Sequence, residues 1–88
     1  MTFLGFSVGD AVVVRTMGEI VTGRVARIEH DHVLLEEAAW IADTGRWHDF
    51  LRDGVPSEVE PYVTPYAMAR SHVLGVTAWA HPLPREQK

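Results

Sequence analysis

The sequence contains no cysteine, and its only lysine is the last residue, Lys88. The absence of cysteine excludes a disulfide framework and any chemistry that needs a thiolate. No apolar run approaches the roughly 20 residues that cross a membrane, and the first ten residues lack the basic start and long apolar segment of a signal peptide. We therefore expect a cytoplasmic protein with no membrane partner.

Basic residues are also scarce. Eight Lys and Arg residues stand against twelve Asp and Glu residues, which gives a formal charge of −4. Binding to a phosphate backbone needs clustered basic side chains, so the composition argues against nucleic acid as a partner. The 88 residues are enough for one small domain, and 47% of them are hydrophobic. We expect the apolar surplus to be buried between copies of the chain, in a homo-oligomer.

The first half of the chain has the pattern of three β-strands. A β-branched run predicts the first strand over Ala11–Thr16. The second run, "IVTGRVARIEH", alternates between the two faces but slips once near Ala26, which indicates a long, bent strand. The third run, "HVLLEEAAWI", is apolar on both faces and therefore needs a cover on each side.

A short helix is predicted over residues 44–53, directly after the third strand. Asp43 or Thr44 is expected to be the N-cap, and Gly54 is expected to end the helix as a C′ glycine. Three apolar residues at i, i+3 and i+4 spacing form one stripe that would face the sheet. This stripe consists of Trp47, Phe50 and Leu51.

The second half is predicted to be less regular. Three prolines make residues 55–66 an extended connector. Two short β runs follow, over Tyr66–Arg70 and Val73–Trp79, with a tight turn between them. Residues 81–88 are predicted to be a C-terminal tail outside the domain, which would then comprise residues 1–80.

The strand segments "VVVRT", "TGRVARIEHDHVLLE" and "ARSHVLGV" resemble the Sm-like branch of the SH3-type barrels. Gly23 stands where that group has the glycine that lets the second strand bend, and Arg70-Ser71 stands where it has an Arg-Gly turn. The resemblance implies a mainly β (α+β) fold, a small, strongly bent five-stranded SH3/Sm-like barrel with one short helix inserted after strand three. It also implies that Arg70 contacts RNA, although Ser71 replaces the expected glycine.

A second resemblance, carried by "VVVRT", "VLLEEAAWIADTGR" and "GVTAWAHPLP", is to an uncharacterised family of small phage and prophage proteins. It implies a phage setting, and hence the host cell cytoplasm. Small phage proteins of this size include oligomers that sequester host nucleotide signals as a counter-defence. On this basis the leading hypothesis is a non-catalytic, ligand-binding oligomer that binds a nucleotide-like small molecule.

Six residues are candidate ligand contacts under this hypothesis. Trp40 either stacks on a base or packs under the helix. Arg46 or Arg70 would pair with a phosphate, and Thr44 or Ser71 would donate a hydroxyl. Asp43 is either a ligand contact or a helix cap.

No catalytic motif is present: there is no P-loop, nucleophile elbow or glycine fingerprint, and we expect neither enzymatic activity nor a cofactor. His30 and His32 would share a face on a strand and hold one edge of a metal site, but at a turn they would be solvated. No third ligand is fixed by spacing, so no metal is predicted. Two alternatives to the leading hypothesis stay open, an Sm-like RNA-binding module and a structural or protein-interaction protein without a small-molecule site.

Overall fold

The structure is a computed structural model that describes all residues, 1–88. It contains one short α-helix, α1, six β-strands and a 3-10 turn over Arg70–His72. In chain order the elements are β1 (Ala11–Thr16), β2 (Ile20–Ile28), β3 (His32–Asp43), α1 (Trp47–Asp53), β4 (Glu58–Pro61), β5 (Tyr66–Ala69) and β6 (Val73–Ala78). No helix is long and apolar enough to cross a membrane.

All six strands belong to one antiparallel sheet. Five of them follow the order β4-β3-β2-β1-β6, and the sixth, β5, also pairs with β3. The twelve-residue β3 is long enough to pair with two strands on its other edge. It pairs with β5 through His32–Leu35 and with β4 through Ala39–Asp43. The mainly β prediction with one short helix is correct, but the sheet has six strands rather than five, and it is not closed into a barrel. The extra strand is β4, which lies inside the segment predicted to be an irregular connector.

The predicted bend of β2 is present. The register between β2 and β3 shifts twice, between Thr22 and Arg24 and between Val25 and Arg27, and the second shift contains the predicted slip near Ala26. Gly23 is buried at the first shift, where an added Cβ would lie 3.0 Å from the Leu35 Cβ. The glycine therefore allows β3 to approach β2 closely while the strands bend.

Apolar residues fill both faces of the sheet and form two separate cores. On β1, Val12 and Val14 belong to the first core and Val13 belongs to the second, as expected for side chains that alternate across a strand. The first core consists of Phe3, Val12, Val14, Val21, Val25, Val33, Leu35, Ala38 and Met68. The second core consists of Val13, Ala39, Ile41, Phe50, Val59, Trp79 and Leu83.

Helix α1 covers the second core with the predicted stripe. Phe50 is fully buried, and its ring centroid lies 5.7 Å from that of Trp47 and 4.9 Å from that of Trp79. The helix ends as predicted at Gly54, which adopts φ 72° and donates its N–H to the Phe50 carbonyl oxygen. It begins only at Trp47, three residues later than predicted.

The predicted helix cap is wrong for a local reason. The Asp43 carboxylate accepts a hydrogen bond from the Gly45 N–H at 2.8 Å, and the Thr44 hydroxyl donates to the Gly45 carbonyl oxygen at 2.7 Å. Both side chains are therefore used in the turn that precedes the helix. The N-cap position is Arg46, which has extended backbone and makes no side-chain cap.

The C-terminal residues are part of the domain and not a loose tail. Leu83 is buried in the second core, and the His81 Nε2 lies 2.8 Å from the Leu51 carbonyl oxygen. The backbone of Lys88 pairs in both directions with Val59 of β4, at 2.8 and 2.9 Å. The predicted division at residue 80 is therefore wrong, because the second core needs apolar residues from beyond it.

Candidate functional site

The turn between β2 and β3 lies against the 3-10 turn that links β5 and β6, and Arg70 connects the two turns by hydrogen bonds. Its backbone N–H donates to the Asp31 carbonyl oxygen at 3.0 Å, and its Nη1 donates to the Glu29 carbonyl oxygen at 2.9 Å. The turn between β2 and β3 is thereby held against the turn between β5 and β6. We refer to residues 29–32 and 70–72 together as the turn cluster.

The turn cluster carries three imidazole rings beside two carboxylates, those of Glu29 and Asp31. The His32 Nδ1 lies 2.7 Å from the Asp31 Oδ1, and this hydrogen bond is the main reason why the pKa of Asp31 lies below its usual value. His30 and His72 are exposed. No group of three or more His, Asp or Glu side chains in the chain is arranged to hold a metal ion. The arrangement offers planar rings, an arginine and two acids in adjoining turns.

A separate cleft of about 380 Å³ lies beside Trp40. Trp40 keeps 43% of its surface exposed, although it stands within β3. Arg15, Glu19 and Leu74 contribute to the walls, and Leu74 is itself 63% exposed. We call this site the Trp40 cleft. Its full lining is Arg15, Thr16, Gly18, Glu19, Ile20, Trp40, Ile41, Ala42 and Leu74.

The six predicted contacts do not surround one pocket. Trp40 lines the Trp40 cleft, and no cavity is lined by any of the other five. The three residues of the strand-to-helix corner shape the turn or flank the helix, and Arg46 is exposed there without an ion pair. Arg70 and Ser71 belong to the turn cluster. Ligand binding by any of the six stays a prediction.

Sequence reasoning missed a tyrosine pair that lies next to the Trp40 cleft. The rings of Tyr62 and Tyr66 stack with centroids 4.4 Å apart, and the Tyr66 hydroxyl donates to the Glu19 carboxylate. Burial, followed by the bond to Glu19, raises the pKa of the Tyr66 hydroxyl strongly, so the phenol stays protonated. Glu19 and Tyr66 are 47 residues apart. No local sequence pattern predicts such a contact, because it depends on the tertiary structure of the sheet.

Sequence reasoning also missed an ion cluster under the C-terminal segment. The Glu37 carboxylate binds Arg24 at 3.0 Å and Arg85 at 3.1 Å. Glu37 has a φ of 50°, at the bulge where β3 shifts its pairing with β2. A non-glycine residue in this region is strained, and its side chain is held here by two guanidinium groups. The only sequence signal was the pair of adjacent acids, Glu36 and Glu37.

Comparison with solved structures identifies the fold. A heptameric archaeal Sm protein superposes with a TM-score of 0.58 over 82% of this chain and 88% of that chain, at 20% sequence identity. No family model and no curated protein matches the sequence. The chain therefore has an Sm-like fold, as the resemblance of its strand segments indicates. Nothing in the comparisons points to the phage family, so the phage setting stays a prediction.

Proposed function

We propose that this protein is a non-catalytic, Sm-like binding module that assembles into a homo-oligomer and binds single-stranded RNA through the turn cluster. The observation that carries the proposal is the double role of Arg70. Its backbone and its guanidinium group fix the β2–β3 turn against the 3-10 turn. Two loops that would otherwise move independently are thereby held as one surface, as recognition of a ligand requires.

The turn cluster has the groups that single-stranded RNA needs. The Arg70 guanidinium uses Nη1 on the Glu29 carbonyl oxygen and retains other N–H groups for a phosphate or a base edge. The exposed rings of His30 and His72 are planar surfaces on which unpaired bases stack. The ionised Asp31 repels phosphate but accepts hydrogen bonds from the amino groups of bases. Recognition of base edges and faces is therefore favoured over binding along the backbone.

Assembly is proposed from the strands that the sheet leaves open. β5 pairs only with β3, and β6 pairs only with β1, so each strand has one edge without hydrogen bonds from another strand. Unpaired edges are templates for pairing with another chain. The Sm protein that superposes on this chain is heptameric. We expect copies of this protein to pair the β5 edge of one subunit with the β6 edge of the next.

A ring would also compensate for the acidic composition. The net charge of −4 predicts that one turn cluster binds RNA only in the non-specific range, with a Kd of about 10⁻⁴ to 10⁻⁶ M at physiological salt. Several turn clusters on one ring act on the same strand at high effective concentration, which raises the apparent affinity without any new contact.

A second candidate function is the sequestration of a nucleotide-like small molecule. The observation that favours it is the Trp40 cleft, where a partly exposed indole lines a cavity of about 380 Å³. Cavities of this size and larger hold most small-molecule ligands, and exposed tryptophans stack on planar rings. The phage counter-defence role belongs to this candidate.

Fluorescence anisotropy with short U-rich and A-rich RNA tests the main proposal. At about 0.15 M salt we expect micromolar binding by the wild-type protein. Arg70→Gln should weaken it at least tenfold, and Arg46→Gln is the matched control because Arg46 is exposed outside the turn cluster. A melting temperature is recorded for each variant, because Arg70 also holds the turns. Absence of binding at about 10⁻⁴ M protein, or equal losses in both variants, would contradict the proposal.

A further inference from the structure

The arginines of this protein divide into two groups. Five of the seven make an ion pair or a hydrogen bond, and they are Arg24, Arg27, Arg52, Arg70 and Arg85. The side chains of Arg15 and Arg46 have neither an acidic partner nor a hydrogen bond. Of these two, only Arg15 lines a cavity, and that cavity is the Trp40 cleft. An unpaired cation in a cleft can bind an anion without first breaking an ion pair or a hydrogen bond.

The Trp40 cleft joins this cation to an apolar, aromatic wall. Trp40 presents 43% of its surface, and Ile20 and Leu74 are further apolar residues of the lining. A flat ring can therefore rest on apolar surface in the cleft. The Arg15 guanidinium lies 6.0 Å from the ring centroid of Trp47. Contact with this aromatic ring favours a defined position of the guanidinium group although it has no carboxylate partner.

The lining also includes a hydrogen-bonded turn that carries a possible acceptor, Glu19. The Thr16 hydroxyl oxygen accepts hydrogen bonds from the Glu19 N–H at 3.0 Å and the Gly18 N–H at 3.3 Å, which closes the turn between β1 and β2. Glu19 lines the Trp40 cleft, and its carboxylate accepts a hydrogen bond from the Tyr66 hydroxyl. The cleft therefore contains one cation, one acceptor and one aromatic surface.

We infer that the Trp40 cleft is a binding site for a planar heteroaromatic anion of the nucleoside monophosphate class, with Arg15 on the phosphate, Trp40 on the base and Glu19 on an N–H or ribose hydroxyl. This inference rests on the second candidate function and assigns its cation to Arg15 in place of Arg46 or Arg70. Because Glu19 adds a negative charge to the same cleft, further phosphates are repelled. The site therefore prefers a monophosphate to a triphosphate.

Isothermal titration calorimetry of the full chain with AMP, UMP and ATP tests the inference. We expect both monophosphates to bind, and ATP to bind more weakly. Arg15→Gln and Trp40→Leu should each weaken monophosphate binding about tenfold or more, through loss of a charge-assisted hydrogen bond and of stacking respectively. Arg46→Gln should leave it unchanged. In the wild-type protein the indole N–H resonance of Trp40 should shift on titration, which gives a readout that needs no variant.

The other outcomes each overturn a different statement. If neither monophosphate binds at millimolar concentration, the inference and the second candidate function fail together, while RNA binding at Arg70 is unaffected. If the monophosphates bind but Arg15→Gln and Trp40→Leu have no effect, the inference fails and the second candidate function survives at another place. If ATP binds tighter than AMP, the role of Glu19 and the stated ligand class are wrong.

Discussion

The two faces of the sheet are covered in different ways. The first core is built mostly from β1, β2 and β3, whose inward residues meet one another when the sheet bends. The second core contains three residues of β1 and β3. Its other residues are Phe50 of α1, Val59 of β4, and Trp79 and Leu83 of the C-terminal region. One face is thus closed by strands that are neighbours in sequence, and the other by segments that are far apart.

The two cores share the residues of β1. β1 contributes Val12 and Val14 to one core and Val13 to the other, so neither core can lose its packing without disturbing a strand that both need. We therefore regard the α1 layer and the C-terminal segment as one cooperative unit with the sheet. Each of the following predictions tests whether the second core is an equal partner of the first or an appendage to it.

The largest effect is expected from emptying the centre of the second core. Phe50→Ala should lower the free energy of unfolding by about 3 to 5 kcal/mol, because a fully buried aromatic ring is replaced by a cavity. Leu35→Ala in the first core should cost about 2 to 5 kcal/mol. Equilibrium denaturation followed by tryptophan fluorescence and circular dichroism measures both. Two separate transitions in Phe50→Ala, one for each face, would show that the second core is an appendage.

The next effect concerns the C-terminal cover. Leu83→Ala should cost about 2 to 4 kcal/mol, because Leu83 is buried against the second core. Glu86→Ala is the control, since Glu86 is exposed and should change stability by no more than about 0.5 kcal/mol. Thermal and chemical denaturation give the comparison. Equal stabilities for the two variants would restore the view that residues 81–88 are a loose tail.

A smaller effect is expected where the helix ends against the C-terminal segment. At Gly54 an added Cβ would lie 2.4 Å from the His81 ring, and the backbone has φ 72°. Gly54→Ala should therefore cost about 1 to 3 kcal/mol. Gly18→Ala is the matched control, because its Cβ would meet nothing within 4 Å and its φ is not left-handed. A Gly54→Ala protein as stable as Gly18→Ala would contradict the close packing of His81.

The smallest effect depends on pH and concerns the ion cluster that ties the C-terminal segment to the sheet. The hydrogen bond from Arg24 is the main cause that lowers the pKa of Glu37 from its usual 4.5. A lowered pKa in the folded state means that this stabilisation is present above about 4.5 and is lost as pH falls through the folded pKa.

Glu37→Gln should therefore be less stable than wild type at pH 7, and the difference should disappear in acid. Glu58→Gln, which removes an exposed acid without an ion pair, serves as the control. Melting temperatures between pH 3 and 8 (roughly the range that spans this titration) measure both. A constant difference across that range would show that the carboxylate charge is not what Glu37 contributes.

Sequence patterns predicted the parts of the fold that depend on local spacing. The bounds of β1, the bend of β2 and the end of α1 at Gly54 follow from alternation, from a slip in that alternation and from a C′ glycine. The prediction failed at β4 and at residues 81–88. Proline-rich composition hides a four-residue strand, and the burial of Leu83 is a contact with residues distant in sequence.

The candidate sites were only partly accessible to sequence reasoning. Arg70 and Ser71 were located in the correct turn by their resemblance to an Arg-Gly motif, and Trp40 was singled out as undetermined. The partners that define each site came from elsewhere in the chain: Glu29 and Asp31 for Arg70, and Arg15 and Glu19 for Trp40. Arg46 was predicted, with Arg70, as a phosphate partner beside Trp40, but Arg46 lines no cavity, because proximity along a strand-to-helix corner does not place two side chains in one cavity.

The central claim is that the open edges of β5 and β6 are completed by other copies of the chain, which brings several turn clusters onto one particle. Multi-angle light scattering on the protein at micromolar concentration tests it directly. We expect a single species whose mass is a multiple of the 9.9 kDa chain, large enough for a closed ring. A monodisperse species of 9.9 kDa would contradict it.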